Sequence, residues 1–174
     1  MDLLDVIIEM IDLRSFSNLW YWIGLAVLWS TASHRVLGVP YDMVPRAARS
    51  GGQAAEDLRD AVRIKVNRIT YVFDAMGGLI VAFMFFLNTV LLLLGFVYGV
   101  EFAQAVVLML LPMNVVGLIN LQAARVIRAV PHDDAALRQR LTRLRLTVQL
   151  IGIVSIFITG IWGTYQNLVI GVLR

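Results

Sequence analysis

The fold is decided by residues 75–100, which read AMGGLIVAFMFFLNTVLLLLGFVYGV and contain no charged side chain. This run of 26 residues is longer than the roughly 20 that a helix needs to cross the hydrocarbon core of a bilayer. We therefore predict a transmembrane helix here, with the span at residues 72–98.

The residues before this span continue the same helix. They repeat small or apolar side chains in steps of three and four, which marks one face of a helix: Ala55, Leu58, Val62, Val66 and Ile69. One long helix is therefore predicted over residues 53–99, with its first half outside the membrane.

Three further uncharged stretches predict the remaining spans. The first span is placed at residues 16–37, the third within residues 102–129, and the fourth within residues 135–173. Residues 38–52 contain two prolines and a Gly-Gly pair, so this tract is read as a loop. The fold class is all-α integral membrane, a single domain over residues 1–174 with four transmembrane helices.

The fourth span also has an extension outside the membrane. Leu137, Leu141, Leu144 and Val148 recur in steps of three and four. The extensions of spans two and four run parallel, so we predict that their apolar seams bury one another in a helical stalk, or join subunits.

Residues 1–13 are predicted to form an amphipathic helix in the membrane interface. Its acidic face consists of Asp2, Asp5, Glu9 and Asp12. A packed helix with a wet acidic face is preferred to a vestibule that attracts ions.

The composition also indicates an integral membrane protein, and it argues against nucleic-acid binding and cysteine chemistry. The chain is 59% hydrophobic with mean hydropathy +0.77, which indicates an integral membrane protein. Its pI near 9.7 reflects arginines that flank apolar runs, so nucleic acid is not an expected partner. With no cysteine, thiolate cofactor sites and thiol catalysis are excluded.

The basic residues also predict orientation. Residues 35–68 hold seven of them and residues 125–145 hold six, against Arg14 and Arg174 elsewhere. The positive-inside rule places both basic segments in the cytoplasm of a bacterial inner membrane, with both termini periplasmic.

Asp74 is the sharpest candidate for a site, because it lies just inside the predicted span at residues 72–98 and an ionisable side chain within a span is costly. Its expected partners are Arg125, His34 and Arg35. Asn67 and Thr70 share its helix face. A register-fixing ion pair is preferred to a proton or cation relay.

Other polar side chains lie within the spans and are expected to bond across helices. They include Asn88, Gln104, Asn114 and Asn120. Pro112 marks a potential kink beside Asn114. In span four, small residues allow close helix approach, within the bundle or between protomers: Gly152, Ser155, Thr159 and Gly163.

Three stretches resemble a family of small alphaproteobacterial membrane proteins, over most of the chain. They are IDLRSFSNLW at residues 11–20, SHRVLGVPYD at residues 33–42 and YGVEFAQA at residues 98–105. Members are often labelled a component of the SufBCD complex, which implies a partnership with cytosolic iron–sulfur assembly machinery.

No nucleophile–base pair and no metal-spaced cluster is evident, so neither an enzyme nor a cofactor is expected. The predicted function is a self-associating membrane scaffold or accessory subunit. Its basic loops would meet an acidic cytoplasmic protein or anionic lipid. The alternatives are a homo-oligomeric ion channel and, third, a minor transporter subunit.

Overall fold

The computed structural model describes residues 15–130 and 133–172. A 3-10 turn at Ser15–Ser17 leads into α1 (Leu19–His34), a hairpin of β1 (Arg35–Val36) and β2 (Val39–Pro40), and α2 (Met43–Ser50). The long helix α3 (Gly52–Leu92) ends in a π-helical turn at Leu93–Val97, followed by α4 (Glu101–Ala129) and α5 (Asp134–Val172). The prediction that the chain is helical is confirmed. The predicted interfacial helix at residues 1–13, with its acidic face, lies outside the described residues.

Among the residues that the structure describes, three helices are long and apolar enough to cross a membrane. They are Gly52–Val97, Glu101–Ala129 and Asp134–Leu168, at the positions predicted for spans two to four. The predicted first span, residues 16–37, contains the 16-residue helix α1, because the chain pairs into the hairpin directly after His34. At about 1.5 Å per residue, α1 is shorter than the roughly 20 residues that a full crossing needs.

Helix α1 packs antiparallel along α5, and the small residues of α5 permit this contact. A Cβ atom at Gly152 would lie 2.7 Å from Cε3 of Trp29. A Cβ atom at Gly163 would lie 3.1 Å from both Phe16 and Trp22. The row of Gly152, Ser155, Thr159 and Gly163 is buried. The two glycines of this row thus lie against aromatic side chains of α1 and of the 3-10 turn, within one chain.

Helices α3 and α4 form an antiparallel hairpin, joined by a short turn that contains Gly99. Gly95, in the π-helical turn, is buried, and a Cβ atom there would lie 3.0 Å from the Gln104 backbone nitrogen. Helix α4 is continuous through Pro112, so its predicted kink does not break the helix.

The region after α1 differs most from expectation. The tract read as a loop forms β2 and α2, and α2 packs against both α3 and α5. The backbones of α3 and α5 make few close contacts with each other. Both predicted seams are nevertheless buried: Leu58 and Val62 of α3 and Leu141 of α5 belong to one core, which also contains residues of the hairpin and α2.

The α1–α5 contact gives a test of the packing. We expect Gly152→Ala to lower the free energy of unfolding by about 1–3 kcal/mol, because the new methyl group forces the Trp29 ring to move. The matched control is Gly160→Ala on the same helix, where a Cβ atom meets nothing within 4 Å. Thermal unfolding in detergent should give a lower midpoint for Gly152→Ala alone. Equal midpoints for the two variants would contradict this arrangement.

Candidate functional site

The basic residues gather at one end of the bundle. We call residues 35–70 and 125–145 the basic module; residues 131 and 132 within it are not described. It contains thirteen lysine and arginine residues against six aspartate and glutamate residues. The module comprises the β1–β2 hairpin, α2, the first half of α3, the end of α4 and the start of α5.

A continuous apolar core holds the module together. Leu58, Val62 and Val66 of α3 and Leu141 of α5 belong to one buried cluster with the hairpin. The remaining buried members are Val36, Leu37, Val39, Val44, Ala47, Ala55, Ala124, Leu137 and Leu144. The predicted apolar faces of α3 and α5 are both buried, and the module is a packed unit instead of two helices with a loop.

The hairpin turn has an unusual backbone. Leu37 and Gly38 are its two central residues, and both have positive φ angles, 55° and 77°. Such a two-residue turn matches the twist of antiparallel strands, but it disfavours a side chain like leucine. Leu37 is only 1% exposed, so burial of its side chain in the module core offsets the backbone cost.

The basic residues of the module make four ion pairs with acids in the described part of the chain. Arg46 contacts Asp57 at 3.5 Å, joining α2 to α3, and Arg59 contacts Asp134 at 2.9 Å, joining α3 to α5. Arg63 pairs with Asp60 at 3.0 Å within α3. The fourth pair is Arg128–Asp74. Each of these pairs is solvent-exposed and contributes about 0–1 kcal/mol.

Nine basic residues of the module therefore have no ion-pair partner among the described residues. They are Arg35, Arg49, Lys65, Arg68, Arg125, Arg138, Arg140, Arg143 and Arg145. The module presents a surplus of positive charge on a packed support.

Tyr41 connects the hairpin to α5. The guanidinium carbon of Arg145 lies 3.9 Å from the centre of the Tyr41 ring, a cation–π contact. The hydroxyls of Tyr41 and Thr142 lie 3.3 Å apart. These contacts orient Arg145 although it has no ion-pair partner among the residues that the structure describes.

Asp74 has a different partner from those predicted. Its Oδ2 atom accepts a hydrogen bond from Nη1 of Arg128 at 3.2 Å. Arg125, His34 and Arg35 make no hydrogen bond to it among the described contacts. Both paired side chains are more than half exposed, so Asp74 joins α3 to α4 at the surface of the bundle. Arg128 therefore takes the place of the three expected cations, and the preference for a register-fixing ion pair over a relay stays a prediction.

The other predicted polar residues do not come together at one place. Asn67 is exposed, and the Thr70 hydroxyl donates to the Val66 carbonyl of its own helix. Asn88 Nδ2 donates to the Met84 carbonyl at 2.7 Å, also within its helix. Asn114 and Asn120 each contain a buried amide atom without a hydrogen-bond partner among the described residues.

Gln104, at the end of the bundle away from the basic module, is the predicted polar residue that does bond to other helices. Its Nε2 atom donates to the Gly95 carbonyl at 2.7 Å, and its Oε1 atom accepts from Trp162 Nε1 at 3.0 Å and from Gln166 Nε2. Gln104 is 4% exposed. This cluster joins α3, α4 and α5, and we call it the Gln104 cluster.

Next to the Gln104 cluster, polar contacts attach the start of the described chain. Glu101 Oε1 accepts from the Phe16 backbone nitrogen at 2.8 Å. The Ser17 hydroxyl donates to Asn167 Oδ1 at 2.6 Å. Both ends of the bundle are therefore held by side-chain contacts, polar at one end and mainly apolar at the other.

The side chains of the basic module are suited to contact anionic groups. Within residues 15–130 and 133–172, no group of three histidine, cysteine, aspartate or glutamate side chains is placed to hold a metal ion. The module offers cations, and cations held on a packed core recognise anionic groups.

Sequence reasoning missed Tyr41, Arg145 and the hairpin turn. The available signal for the turn was Gly38, which lies between Val36 and Val39 and is followed closely by Pro40. No protein-family model, no curated protein and no solved structure matches this chain. The resemblance to the alphaproteobacterial family, and the partnership that it implies, therefore stay predictions.

The Gln104 cluster gives the second test. We expect Gln104→Leu to reduce the free energy of unfolding by about 1–3 kcal/mol, because the Gly95 carbonyl and the Trp162 indole N–H lose their partner. Gln122→Leu, at an exposed position of the same helix, is the matched control. Thermal unfolding in detergent measures both. A Gln104→Leu protein as stable as the control would show that the cluster does not hold the helices.

Proposed function

We propose that this chain is a non-enzymatic membrane scaffold or accessory subunit, whose basic module binds an acidic soluble protein. The observation on which the proposal depends is the module itself: a packed core that displays nine basic side chains without ion-pair partners among the described residues. Exposed charges of one sign steer and select partners of the opposite sign.

The reach of the module favours a protein over a lipid as the partner. From Gly52 to Ala75, α3 spans about 35 Å at 1.5 Å per residue. Arg49 lies just before this helix, at its end far from the uncharged run. The electrostatic screening length is about 8 Å at physiological salt, so lipid headgroups do not attract Arg49 appreciably. A soluble partner is able to contact it.

The placement of polar side chains favours a scaffold over a pore. Asn88 bonds to its own helix, and Gln104 bonds to a local cluster at the opposite end of the bundle from Asp74. The described polar groups therefore form no continuous path along one chain. An ion path between several copies is the alternative, and it predicts a ring-shaped oligomer.

The proposed setting is a bacterial inner membrane with four crossings. Helix α1 lies antiparallel along α5, which is consistent with a short fourth crossing. The basic module is then cytoplasmic by the positive-inside rule, and the chain's ends are periplasmic. In α3, Leu79, Phe83 and Phe86 are 64–69% exposed, which leaves a surface for lipid or for a second copy of the chain.

The partner is tested by tagged purification from mild detergent, with copurifying proteins identified by mass spectrometry. We expect a soluble acidic protein in a fixed ratio to the chain. Its binding should be lost in about 1 M salt, where the screening length falls to about 3 Å. It should also be lost from the variant Arg49→Gln/Arg140→Gln/Arg143→Gln.

The control for this variant keeps the charge. Arg49→Lys/Arg140→Lys/Arg143→Lys should retain the partner, because the recognition is of charge on a packed support. Equal binding to the glutamine and lysine variants would contradict the proposed surface. A ring of purified chains that makes liposomes permeable to ions, with no partner, would favour the pore.

A further inference from the structure

A groove opens on the module where α3 passes from its charged half into its apolar half. It has a volume of about 350 Å³ and lies between the Leu37–Gly38 turn, α3 and α4. One end is lined by Lys65 and Arg68, and the other by Phe73 and Asn120. Chemically, the groove changes from cationic to apolar along its length.

The cationic end is available to an anion. Neither Lys65 nor Arg68 pairs with an acid in the described part of the chain. The stem of Lys65 lies against the turn, since a Cβ atom at Gly38 would sit 3.5 Å from Lys65 Cδ. The hairpin thus supports the lysine side chain, and Arg68 follows almost one helical turn later.

The apolar end lies at the level where the uncharged runs begin. Arg68 precedes the run at residues 75–100 by seven residues, about 10 Å of helix, and arginine side chains extend toward an interface. Asn120 lies inside the uncharged run of α4, five residues before Arg125. The groove therefore straddles the boundary at which a phospholipid places its phosphate and its acyl esters.

Asn120 adds a polar group at that boundary. Its Oδ1 atom is buried without a hydrogen-bond partner among the described residues. Rotation of the amide about the Cβ–Cγ bond presents its N–H donors instead, and an ester carbonyl is an acceptor of matching kind. Ile69 and Phe73 supply apolar contact beside it.

We propose that this groove binds one acidic phospholipid, with Lys65 and Arg68 holding its phosphate, Asn120 bonding an ester carbonyl, and Ile69 and Phe73 contacting the start of an acyl chain. The combination of two cations with an apolar end distinguishes this site from one for free phosphate. The partner test leaves Lys65 and Arg68 unchanged, so this proposal and that of an acidic protein partner can fail separately.

The test uses the full chain purified in neutral detergent. Native mass spectrometry counts retained lipids after addition of phosphatidylglycerol or phosphatidylcholine, and titration gives the dissociation constants. We expect one tightly held phosphatidylglycerol and no retained phosphatidylcholine. Lys65→Gln/Arg68→Gln should weaken phosphatidylglycerol binding roughly 10- to 30-fold, since each basic residue near a membrane surface contributes on the order of a fivefold gain.

The control variant Arg49→Gln/Arg140→Gln removes the same charge elsewhere in the module and should leave lipid binding unchanged. If the double variant does not fold, the single variants Lys65→Gln and Arg68→Gln should each weaken binding about fivefold. Equal retention by the Lys65→Gln/Arg68→Gln protein would overturn the proposal. Displacement of the lipid by an equal concentration of inorganic phosphate would assign the site to free phosphate.

Discussion

The structure of the basic end depends on the burial of the β1–β2 hairpin between the seams of α3 and α5. Val36, Leu37 and Val39 are each at most 3% exposed and share one core with Leu58 and Leu141. Burying a leucine or valine side chain contributes about 1.5–3 kcal/mol, whereas each exposed ion pair contributes about 0–1 kcal/mol. The apolar contacts therefore contribute most of the stability of the basic module, and the ion pairs add little to it.

This core explains how the module tolerates its charge. Nine basic side chains without described partners repel one another, and without a packed core the repulsion would favour separation of the segments. The cation–π contact between Arg145 and Tyr41 shows one way in which the core orients a cation without an acid. Both proposed binding sites depend on basic side chains that are held by this core. The site for an acidic protein lies at the far end of the module, and the lipid site lies at its boundary with the uncharged runs.

Much of the fold was predictable because it depends on local sequence. The 26-residue uncharged run predicted the second half of α3, and the steps of three and four correctly identified Leu58, Val62 and Leu141 as buried. Both are properties of a single helix. What the two buried faces contact is a long-range property, and the periodic pattern does not specify it.

The hairpin and the partner of Asp74 show where local patterns fail. Leucine seldom adopts a positive φ angle, so the sequence Leu37-Gly38 does not predict a hairpin turn. Asn-Gly at the same positions would have predicted one. Arg125 and Arg128 both lie at the end of α4, about 60° apart around the helix. The crossing of α3 and α4 selects Arg128, and that crossing is set by packing along the whole length of the two helices.

Residues 35–50 belong to the same folded unit as α3 and α5. Hydrogen exchange of the purified chain in detergent, followed by mass spectrometry, measures this most directly. We expect the hydrogen-bonded amides of the hairpin and α2 to be protected to a similar degree as those around Val62 in α3, because both open only when the shared core opens. Exchange of residues 35–50 within seconds, while α3 stays protected, would show that this tract is a loop and not part of the shared core.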